Sequence, residues 1–208
     1  MQLAQAERFL GKLIGFTGAF TTIFIVSGSV TDPVNVPKLA AIGVLGSASI
    51  AIVLFTKLRS FAVRNKSAII LLLAFLIFMI SSSLFSSAPA TQLLYGSYGR
   101  NNGLVTYIFL SVILLSAAAL NSKRSFQSIV NSLFIAGIVN LFYCAWVLLF
   151  GDFIGWNNPY GNILGTLGNP NFIGAFFGML FGVLFALLVG TRTSRKNKIY
   201  IYTDIPIS

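Results

Sequence analysis

The chain has 208 residues, 56% of them hydrophobic and only 9% charged, with 14 Lys and Arg against 4 Asp and Glu for a formal net charge of +10. Soluble globular domains carry about 25% charged residues, so this composition excludes one and marks an integral membrane protein. The absence of histidine and the single cysteine, Cys144, exclude an intramolecular disulfide, histidine metal sites, and Ser-His or Cys-His nucleophile pairs, and neither a metal nor a cofactor is expected.

Crossing the hydrocarbon layer as a helix takes about 20 apolar residues, because no water is there to satisfy free backbone groups. Six runs qualify, at 12–30, 37–56, 67–85, 103–120, 128–150 and 171–190. None shows the short alternating pattern of a β-barrel strand. The expected fold class is therefore an all-α integral membrane protein, a bundle of six transmembrane helices. In the first run, Arg8 and Lys12 precede an apolar stretch that ends at Ser27, Gly28 and Ser29, an arrangement shared with signal peptides. The run is long enough to span, and no small-x-small site followed by a soluble domain appears, so it is read as a helix of the bundle.

Lys and Arg concentrate in short cytoplasmic loops. With the N-terminus inside, Arg8, Lys12, Lys57, Arg59, Arg64, Lys66, Lys123, Arg124, Arg192, Arg195, Lys196 and Lys198 all fall on the cytoplasmic side, leaving only Lys38 and Arg100 outside. Both termini are then cytoplasmic, and residues 191–208 form a basic tail or the truncated start of a further segment. The cations sit in separate short loops without interleaved base-stacking aromatics, so the net charge reports topology and not a nucleic-acid partner.

In this threading the second, fourth and sixth helices begin at the external surface, where helix N-termini present unsatisfied N–H groups and a partial positive charge suited to anions. In "TDPVNVPKLA", Pro37 suits the first helical turn, and Asp32 and Asn35 can cap nearby amides. Lys38 stands at the unfavourable end of the helix dipole, either snorkelling to headgroups or meeting a phosphate. In "LLYGSYGRNNGLVTYIF", Asn101 or Asn102 is the expected cap, and Tyr95, Tyr98 and Tyr107 fit an interfacial aromatic belt. Arg100, among Gly96, Gly99 and Gly103 that let a ligand approach the backbone, can hold phosphate oxygens bidentately or anchor to lipid phosphate.

The fifth run carries Asn131 and Asn140, expected as interhelical hydrogen-bonding residues. After it, "GDFIGWNNPYGN" offers Asp152, Trp156 and Tyr160, a surface suited either to sugars or to headgroup depth. In "ILGTLGNPNFIGAFF", Asn169 is the expected N-cap of the sixth helix, Pro170 its first residue, and Asn171 supplies an amide in its first turn. Gly174, Gly178 and Gly182 recur on one face of that helix, which predicts close approach to another helix.

The set "TDPVNVPK", "YGSYGRNNGLVTY" and "GTLGNPNFIGAF", in this order and at equivalent helix starts, resembles the O-antigen ligase and polymerase family of bacterial membrane proteins. The resemblance implies a metal-independent glycosyltransferase at the outer face of the bacterial cytoplasmic membrane. It would move a glycan from an undecaprenyl pyrophosphate carrier to an acceptor such as lipid A core, a polysaccharide or a glycoprotein. Arg100, Lys38, Asn102, Asn169, Asn171 and Tyr98 are then the substrate-binding candidates, with membrane lipids around them. Only Asp32 and Asp152 lie on the correct side to act as a base. Members of the family are longer, with further helices and a large external loop, so the chain reads as the N-terminal portion of such a protein. Ligase and polymerase share these patterns and are not distinguished.

Two other classes compete. A small transporter predicts ionisable residues at mid-membrane, where none of the four acidic residues falls, and internal repeats, which are not evident. A non-catalytic membrane subunit of an envelope assembly system would use the glycine face of the sixth helix for docking.

Overall fold

The computed structural model describes residues 3–26, 34–97, 101–154, 158 and 161–197, with the backbone alone at 57–63 and 190–197. Among these residues all regular structure is helical. The helices are α1 (Leu3–Ile23), α2 (Asn35–Arg64), α3 (Lys66–Leu84), a short α4 (Ala90–Tyr95), α5 (Leu104–Ala118), α6 (Lys123–Phe150) and α7 (Pro170–Asn197), with a 3-10 turn, Gly165–Leu167, before α7. Four of them are long and apolar enough to cross a membrane: Asn35–Thr56 within α2, α3, α6, and Pro170–Val189 within α7. α5 is apolar but has only 15 residues, about 22 Å by the rise of the α-helix. α1 carries Glu7, Arg8 and Lys12 in its first half and is not among the four.

α1 begins nine residues earlier than the apolar run at 12–30 suggests, and it ends at Ile23. Its partner is the cause. α1 runs parallel to α6 and buries Ala6, Leu10, Gly11, Ile14, Gly15 and Ala19, a stripe spaced three and four residues apart. A Cβ at Gly11 would lie 2.6 Å from Ser125 Cβ, and one at Gly15 would lie 2.7 Å from Ser132 Oγ and 3.0 Å from the Ser128 carbonyl. Two glycines four residues apart thus let the α1 and α6 backbones meet, the close approach that small residues permit between membrane helices.

α2 and α5 are likewise parallel, with Gly43 against the Phe109 ring and Gly46 against Ile113. Leu10 and Ile14 of α1 join Val53 of α2 and Ala119 and Leu120 after α5 in one buried cluster. Ala19, Ala136, Ile173 and Phe176 form a second, between α1, α6 and α7. α7 uses Ile173 and Phe176 for this contact and leaves its glycines out of it: nothing lies within 4 Å of a Cβ built on Gly174, Gly178 or Gly182. The close interhelical approach expected at those three glycines occurs instead at Gly11 and Gly15.

The two ends of the bundle differ in charge. At one end Glu7 Oε1 accepts the backbone N–H groups of Asn121 and, at 2.7 Å, of Ser122. A carboxylate there faces the positive end of α6, where Ser122 is also the N-cap and accepts the Ser125 N–H at 3.1 Å. Arg64 and Asn65 donate to the Ala118 carbonyl at 3.3 and 3.2 Å, placing a cation at the C-terminal end of α5. This end therefore collects Arg8, Lys12, Arg64, Lys66, Lys123 and Arg124. The opposite end holds the close of α1, the starts of α2 and α5 and the approach to α7, and Lys38 is its cation among the described residues.

The exterior is apolar. α3 has no buried residue at all, and Leu71, Phe78, Phe142 and Leu148 expose 70% or more of their surface. A helical chain with four spanning-length helices and hydrocarbon on its outside is an α-helical membrane protein, since water would not tolerate that surface.

Candidate functional site

The site is built where α1 stops. Its last backbone bond joins the Phe24 N–H to the Phe20 carbonyl at 2.7 Å. In a continuing helix the Thr22 carbonyl would accept the Val26 N–H. Here it accepts from Lys38 Nζ at 3.0 Å and from Thr166 Oγ1 at 2.8 Å. The orphan carbonyls of a helix end need such partners, and a cation is the favourable one at the negative end of the dipole.

Lys38 lies in the first turn of α2, on the wrong end of its own helix dipole, and resolves this by reaching back to α1. Its ammonium also donates to the Thr166 carbonyl at 2.6 Å, closing a contact 128 residues apart in sequence. Among the described residues the Lys38 ammonium is engaged by protein carbonyls, a partner that sequence reasoning did not anticipate. Two of its three donors go to these carbonyls, which leaves one for any further partner.

Thr166 is held from the other side by Asn140, which is fully buried in α6. Asn140 Oδ1 accepts the Thr166 N–H at 2.9 Å and lies 2.7 Å from the Thr166 hydroxyl, whose one hydrogen is shared between it and the Thr22 carbonyl, while Asn140 Nδ2 donates to the Ala136 carbonyl at 3.1 Å. Asn140 stands ten residues before the end of α6, about 15 Å by helical rise. The chain after α6 therefore turns back along it before α7 begins. Irregular backbone at such depth is tolerated only where protein satisfies it, which Asn140 and Lys38 do. The local sequence permits the bend: Gly165 and Gly168 have φ of +61° and +70°, and a Cβ on either would fall within 3 Å of Ile173 or Val34 side-chain atoms.

Asn169 caps α7 as its type and position predict, its Oδ1 accepting the Asn171 N–H at 2.8 Å and its carbonyl the Ile173 N–H at 3.1 Å. At α5 the expectation fails. The N-cap is Gly103, with no side-chain cap bond, and Asn102 Oδ1 accepts the Ser97 N–H at 3.2 Å. A Cβ at Gly103 would lie 2.4 Å from the Leu94 carbonyl and Gly96 N, and one at Gly96 2.2 Å from Asn102 Oδ1. These glycines admit the chain's own backbone, in the place where a ligand was anticipated.

Asp152 Oδ1 accepts the Tyr143 hydroxyl at 2.7 Å and the Ile154 N–H at 2.9 Å, so this carboxylate organises the turn after α6. Tyr143 lies one turn beyond Asn140 on the buried face of the same helix. The Tyr143 and Phe153 rings meet edge to face at 5.4 Å, and Trp146 stacks at a tilt on Phe150 at 4.7 Å. Asp32, Tyr98, Arg100, Trp156 and Tyr160 lie outside the described residues.

The structure thus unites Lys38 with the segment leading to Asn169 and Asn171 and sets the start of α5, with Asn102, at the same end through the parallel α2 and α5. Sequence reasoning missed Thr22 and Thr166. Thr166 had a signal, a polar residue between two glycines in "GTLG"; Thr22 contributes only a backbone carbonyl and had none. No family model matches the chain, and no curated protein or solved structure does.

Proposed function

We propose that the chain is a multi-pass protein of the bacterial cytoplasmic membrane, with six spans and both termini inside. It belongs functionally with the O-antigen ligases and polymerases it resembles, which transfer a glycan from an undecaprenyl pyrophosphate carrier to an envelope acceptor. One observation supports this reading above the others: the Lys38 ammonium on the Thr166 carbonyl joins two of the three resemblance-bearing segments, and the start of α5 lies at the same end.

In this reading the N-termini of α2, α5 and α7 and the Arg100 guanidinium face the pyrophosphate, and Lys38 holds that end together. The acceptor oxygen bonds to the anomeric carbon as the bond from that carbon to the pyrophosphate oxygen breaks. The departing charge is stabilised electrostatically, and the hydroxyl proton passes to a base, for which Asp32 and Asp152 are the carboxylates on that side. The test is Arg100→Ala in the protein's own host membrane. Glycan transfer is expected to fall at least tenfold, about 1.4 kcal/mol of transition-state stabilisation, with the amount of inserted protein unchanged. Transfer at the wild-type rate would remove Arg100 from the reaction.

A second reading, a non-catalytic membrane subunit of an envelope assembly system, is favoured by the open glycine face of α7. It predicts that Gly178→Leu abolishes function while Arg100→Ala preserves it.

A further inference from the structure

Among the described residues, the groups that accept from the Lys38 ammonium are both neutral oxygens, supplied by chain that has left, or is leaving, a helix. The Thr22 carbonyl ends α1 and lies 3.0 Å from Nζ; the Thr166 carbonyl belongs to the 3-10 turn and lies 2.6 Å away. Just behind them, Thr166 Oγ1 sits 2.8 Å from the Thr22 carbonyl and 2.7 Å from Asn140 Oδ1. The hydroxyl has one hydrogen for these two acceptors, so this oxygen-rich cluster is short of donors and a cation on the Thr22 and Thr166 carbonyls offsets the crowding of lone pairs. Helix C-terminal carbonyls combined with unwound backbone are the ligands by which membrane proteins hold Na⁺. Divalent cations recruit carboxylates, and no described carboxylate reaches Nζ.

We infer that the Thr22 and Thr166 carbonyls, with Asn140 holding Thr166 in place, form a monovalent-cation site that this protein fills with a tethered cation, the ammonium of Lys38. The chain thereby satisfies the end of α1 and the turn before α7 without depending on the ions around it. Removing the side chain leaves the oxygens in place and opens the site to an alkali cation. This inference is independent of any role in glycan transfer.

The experiment is a thermal melt of the purified full chain in detergent, in NaCl, KCl or choline chloride at equal ionic strength. Wild type is expected to melt at the same temperature in all three. Lys38→Ala should melt lowest in choline and gain roughly 3–5 °C for each tenfold rise in Na⁺ or K⁺ above half-saturation. Lys38→Met, which fills the space with an apolar chain of similar length, should be destabilised and indifferent to the salt. Equal melting of Lys38→Ala in choline, Na⁺ and K⁺ overturns the inference. So does failure of that variant to fold in all three salts, or an alkali-cation response of the same size in Lys38→Met, which would place the ion elsewhere.

Discussion

Asn140 illustrates how a single polar side chain decides the course of the backbone. Its amide oxygen accepts the Thr166 N–H and shares the Thr166 hydroxyl with the Thr22 carbonyl, and the side chain is fully buried. Asn140→Ala should strand the buried Thr166 N–H, at a cost of about 1–3 kcal/mol, read as a lower melting temperature in detergent. Asn131→Ala is the matched control: Asn131 is exposed and bonded to Gln127 at 2.8 Å, and its loss should fall within about 0.5 kcal/mol of neutral. Equal melting of the two variants would mean that Asn140 does not hold the turn. Both asparagines read alike in the sequence, as polar residues in an apolar helix. What separates them is orientation toward a loop that returns from 26 residues away. The same is true of Lys38, whose partners lie 16 and 128 residues distant.

Between elements, the contrast of interest is between two sets of glycines. Gly174, Gly178 and Gly182 form the more conspicuous pattern, yet they face open space. Gly11 and Gly15 flank Lys12 in a less apolar stretch and let the α1 and α6 backbones meet. Gly15→Val should push against Ser128 and Ile129 backbone atoms, 3.0 and 3.1 Å from the built Cβ, and destabilise the chain by about 1–3 kcal/mol. Gly178→Leu should leave its stability within about 0.5 kcal/mol of wild type. A melting temperature lowered as much by Gly178→Leu as by Gly15→Val would show that α7 packs through its glycines after all. The sequence signal that would have favoured α1 was available in the partner: Ser125, Ser128 and Ser132 recur on α6 at the spacing of Gly11 and Gly15. Periodicity on one helix shows that a smooth face exists, and only the complementary face on another shows where it is used.

For the whole molecule, the segregation of cations to one end of the bundle makes orientation testable with a single-cysteine series, since Cys144 is the only native thiol. In a Cys144→Ala background, Ser97→Cys is expected to react with a membrane-impermeant maleimide on intact cells, and Asn121→Cys only after lysis. Both positions are exposed, at opposite ends of the bundle. Labelling of Asn121→Cys on intact cells would invert the proposed orientation.

Composition and hydropathy alone determined that this chain is helical and membrane-embedded, because burial of backbone polar groups in hydrocarbon leaves so few solutions. They also placed a helix on each of the six apolar runs, and side-chain chemistry determined the Asn169 cap of α7, a contact spanning two residues. Tertiary structure decided the rest. α1 starts early because α6 offers it a surface, and it ends early where Lys38 and Thr166 take the Thr22 carbonyl. The chain before α7 folds back along α6 because Asn140 is there to receive it. Each of these outcomes depends on a partner distant in sequence, and local propensity carries no information about which distant groups will meet.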